Sequence, residues 1–281
     1  MTDIARRLDL ALGADDPALA EVSWSASVVD AGSGAVLWSH TPDVVLRTAS
    51  IGKIFLLVEV ARLIEAGELD LSERVTRLPE EILADSGIWH VLAEDTLRIG
   101  DACALIGMVS DNVATNVLVR RLGIDRIRET TRALGVAESA LLDRVREERL
   151  PEHPVALSVG RADELADVAA RLHRGAIVSP GVSSRVTDWL KLNTDLSMTA
   201  QAFGLDPLAH ADVDRGIRLW NKTGTVSTVR VDVGAAEGPS GRAIAWAVGA
   251  NWASDGDPRD AVLARMGAVG RVVRAEVGAE S

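Results

Sequence analysis

Ser50 and Lys53 are the residues with the clearest chemical potential, because they stand three positions apart at the start of an apolar segment. The apolar residues 54–58 predict an amphipathic helix that begins at Ser50 and ends near residue 66, before Gly67. Positions three apart share one face of a helix, so the Ser50 hydroxyl and the Lys53 amine are predicted to lie side by side. A serine hydroxyl becomes a good nucleophile when a neighbouring base takes its proton, and an amine with a lowered pKa can be that base. The simpler alternative is a serine that caps the helix beside a solvated lysine.

Two further polar motifs lie where predicted elements end. Ser110, Asp111 and Asn112 stand at a helix–helix junction, and residues 222–225, Lys-Thr-Gly-Thr, end a predicted strand. Each motif alone is an ordinary helix cap or turn. With the Ser50–Lys53 pair, and in this order along the chain, they predict one site assembled from three segments.

The elements that must position these motifs follow a simple order, with strand patterns near both ends of the chain and helix patterns between them. The predicted strands are residues 21–30, 35–38, 216–222, 229–235 and 242–250. This order predicts an α+β fold: a five-stranded antiparallel sheet flanked by terminal helices, with an all-α lobe inserted. We expect a single domain, 1–281, in which residues 1–45 and 195–281 form an α/β subdomain and residues 46–194 a helical subdomain. The cleft between them is the natural place for a site.

The composition excludes several other classes of function. With 47% hydrophobic and 25% charged residues among 281, the chain is predicted to be globular. Its net charge of −11 argues against nucleic acid or an anionic membrane as the main partner. Cys103 is the only cysteine and the five histidines lack metal-ligand spacing, so we expect no disulfide, no metal and no cofactor. A monomer acting on a small-molecule substrate is the expectation.

The N-terminus bears on where the protein works. Its first residues show no secretory signal, and no segment is apolar for long enough to span a membrane. As written, the sequence predicts a cytoplasmic protein. An exported protein whose leader has been removed is the alternative.

The three motifs, taken together, are the signature set of the penicillin-recognising serine enzymes. The sequence resembles the class A serine β-lactamase family over most of its length, and the 60 positions from Ser50 to Ser110 (110 − 50 = 60) match that family. Other matching segments are residues 86–88, 97–101, 109–116, 142–144, 188–190, 230–234 and 237–239. The resemblance implies the β-lactamase/transpeptidase-like fold and a serine hydrolase.

The resemblance also implies a set of catalytic roles. Ser50 would attack the substrate carbonyl and Lys53 would take its proton, directly or through water. Ser110 would carry a proton to the leaving nitrogen, and Lys222 would steady that transfer. The backbone N–H groups of Ser50 and Thr225 would form the oxyanion hole.

The substrate-binding roles come from the same resemblance. Thr223 and Thr225 would bind a substrate carboxylate together with Lys222. Asn112 would hold the substrate's side-chain amide and orient Lys53. Arg230 lies near the family's carboxylate-binding arginine, although the turn after Thr225 is one residue short. Trp89 is either an aromatic wall of the cleft or a packing residue.

The sequence departs from the family on a long loop, residues 141–157, which is charged and broken by prolines. The glutamate that activates water for deacylation is expected at position 146, where this chain has Arg146. Glu147 and Glu148 follow, so a shifted loop would bring one of them into place, and we select Glu147 as the candidate base. Solvated loop carboxylates are the alternative.

Two smaller departures lie closer to the other motifs. Gly52 replaces the usual bulky residue before Lys53 and is expected to widen or loosen the turn beside the nucleophile. Asp195 stands where a glycine is common and is expected to be a surface change without catalytic meaning.

Three functions remain open from the sequence. The first is a β-lactamase that hydrolyses a β-lactam amide through a Ser50 acyl-enzyme, with altered or impaired deacylation. The second is a biosynthetic serine acyl-hydrolase or acyl-transferase acting on another amide, ester or lactone. The third is a β-lactam-binding sensor that is acylated and does not turn over.

Overall fold

The computed structural model describes residues 2–14, 16–253 and 256–278. The helices are α1 Asp3–Leu12, α2 Lys53–Glu65, α3 Ile99–Val109, α4 Asn112–Leu122, α5 Ile124–Ala133, α6 Ala162–His173, α7 Pro180–Leu190 and α8 Arg259–Glu276. The strands are β1 Ser23–Asp30, β2 Val36–His40, β3 Leu46–Arg47, β4 Arg74–Thr76, β5 Thr96–Arg98, β6 Ala140–Leu141, β7 Ser158–Gly160, β8 Arg218–Val226, β9 Val229–Glu237 and β10 Ala243–Asn251. Single 3-10 turns lie at Pro17–Leu19, Ala49–Gly52, Pro79–Glu81, Trp89–Val91 and Thr199–Phe203.

The large sheet has the order β2-β1-β10-β9-β8, with antiparallel neighbours throughout. Its strands come from both ends of the chain, and the helices α2 to α7 lie between β2 and β8 in sequence. The predicted α+β fold with a five-stranded antiparallel sheet is therefore confirmed. Since β8 is an edge strand, one of its sides is free to face the helices, and this places the motif at residues 222–225 beside them.

Side-chain alternation divides the core into two layers, one on each face of the sheet. Along β10, Trp246 and Val248 join the layer under the terminal helices α1 and α8, whereas Ala245 and Ala247 join the layer under the inserted helices. This alternation follows from the period of two in a strand. Small alanines on the inner face let α6 lie close to the sheet.

Helix α2 differs from the prediction in two ways. It begins at Lys53 and is preceded by the 3-10 turn Ala49–Gly52 that carries Ser50, so Ser50 does not open the α-helix. It is also not amphipathic: every residue from Lys53 to Ala61 is buried, including the charged Glu59. The reason is its position at the centre of the inserted lobe, where α4, α5 and α7 pack around it.

The long loop runs from residue 142 to residue 157 and is bounded by β6 and β7, two short strands that the sequence did not predict. These strands pair with each other, and β7 also pairs with β3, just before the Ser50 turn. The pairing fixes both ends of the long loop beside that turn. The division at residues 45/46 and 194/195 into two subdomains stays a prediction.

Candidate active site

Ser50 lies in the 3-10 turn Ala49–Gly52, partly exposed on the floor of a cleft. Ala49 holds a left-handed backbone conformation, with φ of 48°. Strand β8 packs directly against this turn: a Cβ atom on Gly224 would collide with the carbonyl oxygen of Thr48. The glycine of the 222–225 motif is therefore required for the close approach of two segments that the sequence places far apart.

Lys53 is fully buried beneath the cleft and is held by both predicted partners. Its Nζ donates to Asn112 Oδ1 at 2.7 Å and to the Ser110 carbonyl oxygen at 2.6 Å, and it lies 3.2 Å from Ser110 Oγ. Burial lowers the pKa of Lys53 well below its ordinary value, and repulsion from Lys222 lowers it further, while Asp111 opposes the shift. A lowered pKa favours the neutral amine, which is the form that a general base needs.

Ser110 and Asn112 are positioned by Asp111, which is fully buried between two segments. Its carboxylate caps α4 by accepting the N–H of Ala114 at 2.8 Å, and it also accepts the N–H groups of Ile88 and Trp89, each at 2.8 Å. The motif 110–112 thus joins the start of α4 to residues 86–89.

Lys222 is fully buried on β8, and its Nζ donates to the carbonyl oxygen of Thr223 at 2.8 Å. Burial lowers its pKa to about 8, against the opposing attraction of Asp195 and Asp232. Thr223 and Thr225 line the cleft from the same strand. The strand therefore brings two hydroxyls to the wall of the cleft, with the Lys222 amine buried behind it.

Arg230 stands opposite Thr225 in the β8–β9 register and lines the same wall. The turn that joins the two strands contains only residues 227 and 228. The guanidinium donates to the carbonyl oxygens of Val226 and Val229, each at 2.7 Å, and lies 5.8 Å from the centre of the Trp252 ring. The short turn therefore does not remove Arg230 from the cleft.

The long loop presents a different arrangement of charged groups to the cleft. Arg146 lines the cleft but turns its guanidinium onto Asp143, with Nε 2.7 Å and Nη2 3.2 Å from the two carboxylate oxygens. Arg149 adds a third contact to Asp143 at 2.7 Å. Burial opposes ionisation of Asp143, but the two arginines outweigh it and hold its pKa below the ordinary value. Asn116 pins the neighbouring Val145 through its backbone N–H and carbonyl, at 2.7 and 3.0 Å.

Glu147 lines the cleft with an exposed side chain. Among the cleft-lining residues that the structure describes, it is the carboxylate that the long loop contributes; Glu148 lies outside that set. Glu147 thus presents a carboxylate to the cleft. Its side chain is exposed, whereas Lys53 is fully buried.

Trp89 is a packing residue, and its interpretation as a wall of the cleft is wrong. The side chain is fully buried and its indole N–H donates to the carbonyl oxygen of Glu94 at 2.9 Å. Asp111 holds the Trp89 backbone against α4, which directs the ring into the core. Leu83, Ala84, Asp85 and Ser86 line the cleft on this side instead.

Asp195 lines the cleft, contrary to its interpretation as a surface change. Its carbonyl oxygen accepts the side-chain amides of Asn193 at 3.0 Å and Asn221 at 3.3 Å, so its backbone is tied to the residue before Lys222. Its carboxylate accepts the Ser197 hydroxyl at 2.6 Å. No local sequence pattern predicts that Asp195 lines the cleft, because its position depends on Asn221 on strand β8.

Gly52 does not loosen the turn, because another residue fills the space that its missing side chain leaves. A Cβ atom on Gly52 would lie 2.5 Å from Cβ of Ser158 and 3.1 Å from a methyl group of Leu141. Ser158, on β7, is fully buried there. The sequence interpretation missed it, since nothing near Ser158 in the chain marks it as a neighbour of Ser50.

The cleft has a volume of about 1050 Å³ and brings most of the predicted site residues together. Its lining includes Ser50, Ser110, Asn112, Glu147, Thr223, Thr225 and Arg230, with Lys53 and Lys222 buried behind it. Within the described ranges, no group of three or more His, Cys, Asp or Glu residues is arranged to hold a metal ion.

A family model described as the beta-lactamase enzyme family matches residues 11–274, which is nearly the whole chain. The chain belongs to that family. It is therefore a serine β-lactamase-like hydrolase, and the resemblance carried by its three motifs is confirmed. No curated protein matches it in sequence. In the part of the chain that the structure describes, no helix combines the length and the apolar character needed to cross a membrane.

Solved structures of β-lactamases and of PBP-A share the fold of this chain at low sequence identity. A β-lactamase from Sphaerobacter thermophilus is 24% identical, with a TM-score of 0.82 over 98% of this chain and 96% of that one. A β-lactamase from Xanthomonas campestris is 20% identical, with a TM-score of 0.79 over 99% and 100%. A point mutant of PBP-A, solved as an acyl-enzyme complex with penicillin G, is 21% identical, with a TM-score of 0.79 over 98% and 96%.

Proposed function

We propose that this protein opens a β-lactam amide by forming an ester with Ser50, and that the acyl-enzyme is released slowly. The observation that carries the proposal is the buried Lys53 amine, held by Asn112 at 2.7 Å and within 3.2 Å of the Ser110 hydroxyl. A buried amine of lowered pKa that contacts Ser110 and follows Ser50 by three positions is suited to moving protons between the two serines. Family membership supports a β-lactam as the substrate class.

Acylation requires three proton transfers: from Ser50 to Lys53, from Ser110 to the leaving nitrogen, and from Lys53 to Ser110. Ser50 Oγ attacks the carbonyl carbon while neutral Lys53 takes the hydroxyl proton. The backbone N–H groups of Ser50 and Thr225 bind the oxyanion that forms. When the carbon–nitrogen bond breaks, Ser110 gives its proton to the leaving nitrogen and regains one from Lys53. The products are an ester on Ser50, a free amine and a neutral Lys53.

Substrate binding uses the wall formed by β8 and β9. Lys222, Thr223, Thr225 and Arg230 are proposed to bind a substrate carboxylate. Asn112, whose carbonyl oxygen orients Lys53, is proposed to receive the side-chain amide of the substrate. These roles require the substrate to lie across the Ser50 turn, between the sheet and the long loop.

Deacylation needs a base that takes a proton from water, and we propose Glu147 for this role. Water would attack the ester carbonyl, Glu147 would take its proton, and Ser50 would leave with a proton as the acid product departs. Arg146 is a cation engaged with Asp143 and cannot take that proton. Because the side chain of Glu147 is exposed and less constrained, release of the acyl group is expected to be slower than acylation.

Acyl transfer is the second candidate, and Arg146 is the observation that favours it. A long-lived ester on Ser50 leaves time for an acceptor other than water, such as an amine or an alcohol, to take the acyl group. The substrate in that case is an amide, ester or lactone outside the penicillins. A sensor that only keeps the adduct would look the same until an acceptor is supplied.

Intact-protein mass spectrometry tests the proposal, with penicillin G as the first probe and a cephalosporin as the second. Penicillin G is chosen because a structural neighbour was captured as an acyl-enzyme with it. We expect the mass of one whole penicillin to be added within seconds at Ser50, as located by peptide mapping, and to decline over minutes to hours. Ser50→Ala should take up no label, whereas Ser227→Ala, which removes another cleft hydroxyl, should label normally. Labelling of Ser50→Ala at one site would overturn the nucleophile assignment, and no adduct on either probe would overturn the β-lactam substrate class.

A further inference from the structure

We infer that Ser158, the first residue of β7, is a positioning residue that aims the backbone N–H of Ser50 toward the substrate carbonyl. The inference rests on the proposed acylation of Ser50 and goes beyond it by naming what holds the oxyanion-hole donor. Ser158 is fully buried and lies outside the described residues that line the cleft, so its effect passes through the Ser50 turn.

The Ser158 hydroxyl is saturated with hydrogen bonds to this turn. It donates to the Ala49 carbonyl oxygen at 2.6 Å and accepts the N–H of Gly52 at 3.3 Å. It also lies 2.7 Å from the Thr48 hydroxyl. A serine hydroxyl has one proton and two acceptor sites. With its proton on Ala49, the Thr48 hydroxyl must be the donor of the remaining bond, and all three positions are filled.

The bond to Ala49 matters because of where that carbonyl sits in the chain. The carbonyl of Ala49 and the N–H of Ser50 belong to one planar peptide group, which is trans. In a trans peptide the two groups point to opposite sides. By holding the carbonyl, Ser158 fixes the direction of the N–H on the other side, and it polarises the peptide so that the N–H becomes a stronger donor.

The backbone of the turn needs such support. Ala49 has a φ of 48°, a conformation that a residue with a side chain keeps only where its surroundings enforce it. Ser158 contacts the turn on both sides of Ser50 and extends the β3–β7 pairing, because its carbonyl oxygen accepts the N–H of Thr48 at 3.1 Å. Gly52 leaves the room for it. The glycine and Ser158 therefore form a complementary pair.

Ser158→Ala is the direct test, with penicillin G carrying ¹³C at its β-lactam carbonyl as the probe. We expect the acylation rate constant to fall about 10- to 100-fold, less than for complete loss of an oxyanion-hole donor. The Kd of the non-covalent complex should stay unchanged. In infrared difference spectra, the ester carbonyl of the acyl-enzyme should shift to higher wavenumber, because a poorly aimed donor polarises it less.

Two further variants separate positioning from stability. Ser183→Ala removes a fully buried hydroxyl bonded to the Ile177 backbone at 3.0 Å, outside the described lining of the cleft. It should lower the melting temperature and leave the rate and the carbonyl frequency unchanged. Gly52→Ala adds a methyl group that pushes Ser158 away, so it should shift both readouts in the same direction as Ser158→Ala. If Ser158→Ala does not fold, Gly52→Ala is the variant that tests the inference.

Acylation at the wild-type rate with an unshifted ester carbonyl, in Ser158→Ala or in Gly52→Ala, would overturn the inference. Equal losses in Ser183→Ala would overturn it as well, since they would report general destabilisation. Failure of the wild-type protein to form an adduct would instead contradict the proposed function, so the two failures are distinguishable.

Discussion

The Ser50 turn and the long loop form two sides of the cleft and differ in how firmly they hold their chemical groups. On the first side, Lys53 is fully buried and bonded to Ser110 and Asn112, and the turn itself is tied to β7 and packed against β8. On the second side, Arg146 is bound to Asp143, and the carboxylate that reaches the cleft, Glu147, is exposed.

This difference separates the two half-reactions of an acyl-enzyme mechanism. Forming the ester requires the groups on the first side, and those are buried and constrained. Breaking the ester requires an activated water, which must be served from the second side. The proposed slow release of the acyl group follows directly from this contrast.

Glu147→Gln should produce the largest change on the weaker side. If Glu147 is the base, deacylation should slow by about 10²- to 10⁴-fold while acylation stays fast, because only the second step loses its proton acceptor. Single-turnover mass spectrometry with penicillin G gives both rates. Glu148→Gln, the same change one residue along, is the matched control. Unchanged decay of the adduct in Glu147→Gln would remove Glu147 from the mechanism.

Arg146→Glu should bring the rate of deacylation closer to the rate of acylation. It places a carboxylate where the family's water-activating glutamate is expected, and Arg149 remains to neutralise Asp143. We expect deacylation to accelerate by about 10-fold or more, since a positioned general base contributes at least that much. Arg146→Gln removes the same cation without supplying a base and should not accelerate it. Equal rates in the two variants would show that position 146 does not reach the attacking water.

The pH dependence of substrate binding should follow the loss of charge on Lys222, which belongs to the buried and constrained side of the site. With a pKa of about 8, Lys222 is charged at pH 7 and largely neutral at pH 9, so its attraction for a carboxylate is lost as the pH rises through 8. The ratio of kcat/KM for a penicillin to that for its methyl ester should fall about 5- to 10-fold between pH 7 and pH 9, following the charged fraction. A ratio that stays flat over this range would mean that Lys222 does not bind the carboxylate.

Asp195→Asn should give the smallest of these effects, and it should raise kcat/KM rather than lower it. The carboxylate of Asp195 lies in the same cleft wall as Thr223 and Arg230 and should repel the carboxylate of a penicillin. Its removal should raise kcat/KM for penicillin G by about threefold to tenfold at low salt, as expected for a partly screened charge. Asp85→Asn removes the same charge from the other wall of the cleft and serves as the control. No gain over this control would show that Asp195 is not close to the bound carboxylate.

Most of the fold could be predicted from the sequence, because local periodicity and breakers determine it. The hairpin strands, the three late strands and the long helices all carry their own patterns, and the structure confirms them. The short strands β6 and β7 could not be predicted, since strands of two or three residues have no periodicity of their own. The buried character of α2 was missed because Lys53 and Glu59 are polar in sequence, and only their tertiary partners make their burial possible.

The site was predictable where its residues are adjacent in the chain, and not where distant contacts place them. Ser110 and Asn112 come with their own capping residue, Asp111. By contrast, Asp195 reaches the cleft through Asn221, and Ser158 reaches the Ser50 turn through the space at Gly52. Trp89 is the opposite case, because a distant contact keeps it out of the cleft: Asp111 holds its backbone so that the ring enters the core. Each of these depends on a partner tens of positions away in the chain.

Stopped-flow kinetics with a chromogenic cephalosporin, at enzyme concentrations high enough to show the first turnover, tests most directly whether acylation is fast and deacylation slow. We expect a burst of product equal to the concentration of active sites, followed by a much slower steady state that Arg146→Glu accelerates. Rapid steady turnover without a burst would contradict it, because it would mean that the long loop already serves deacylation as well as the Ser50 turn serves acylation.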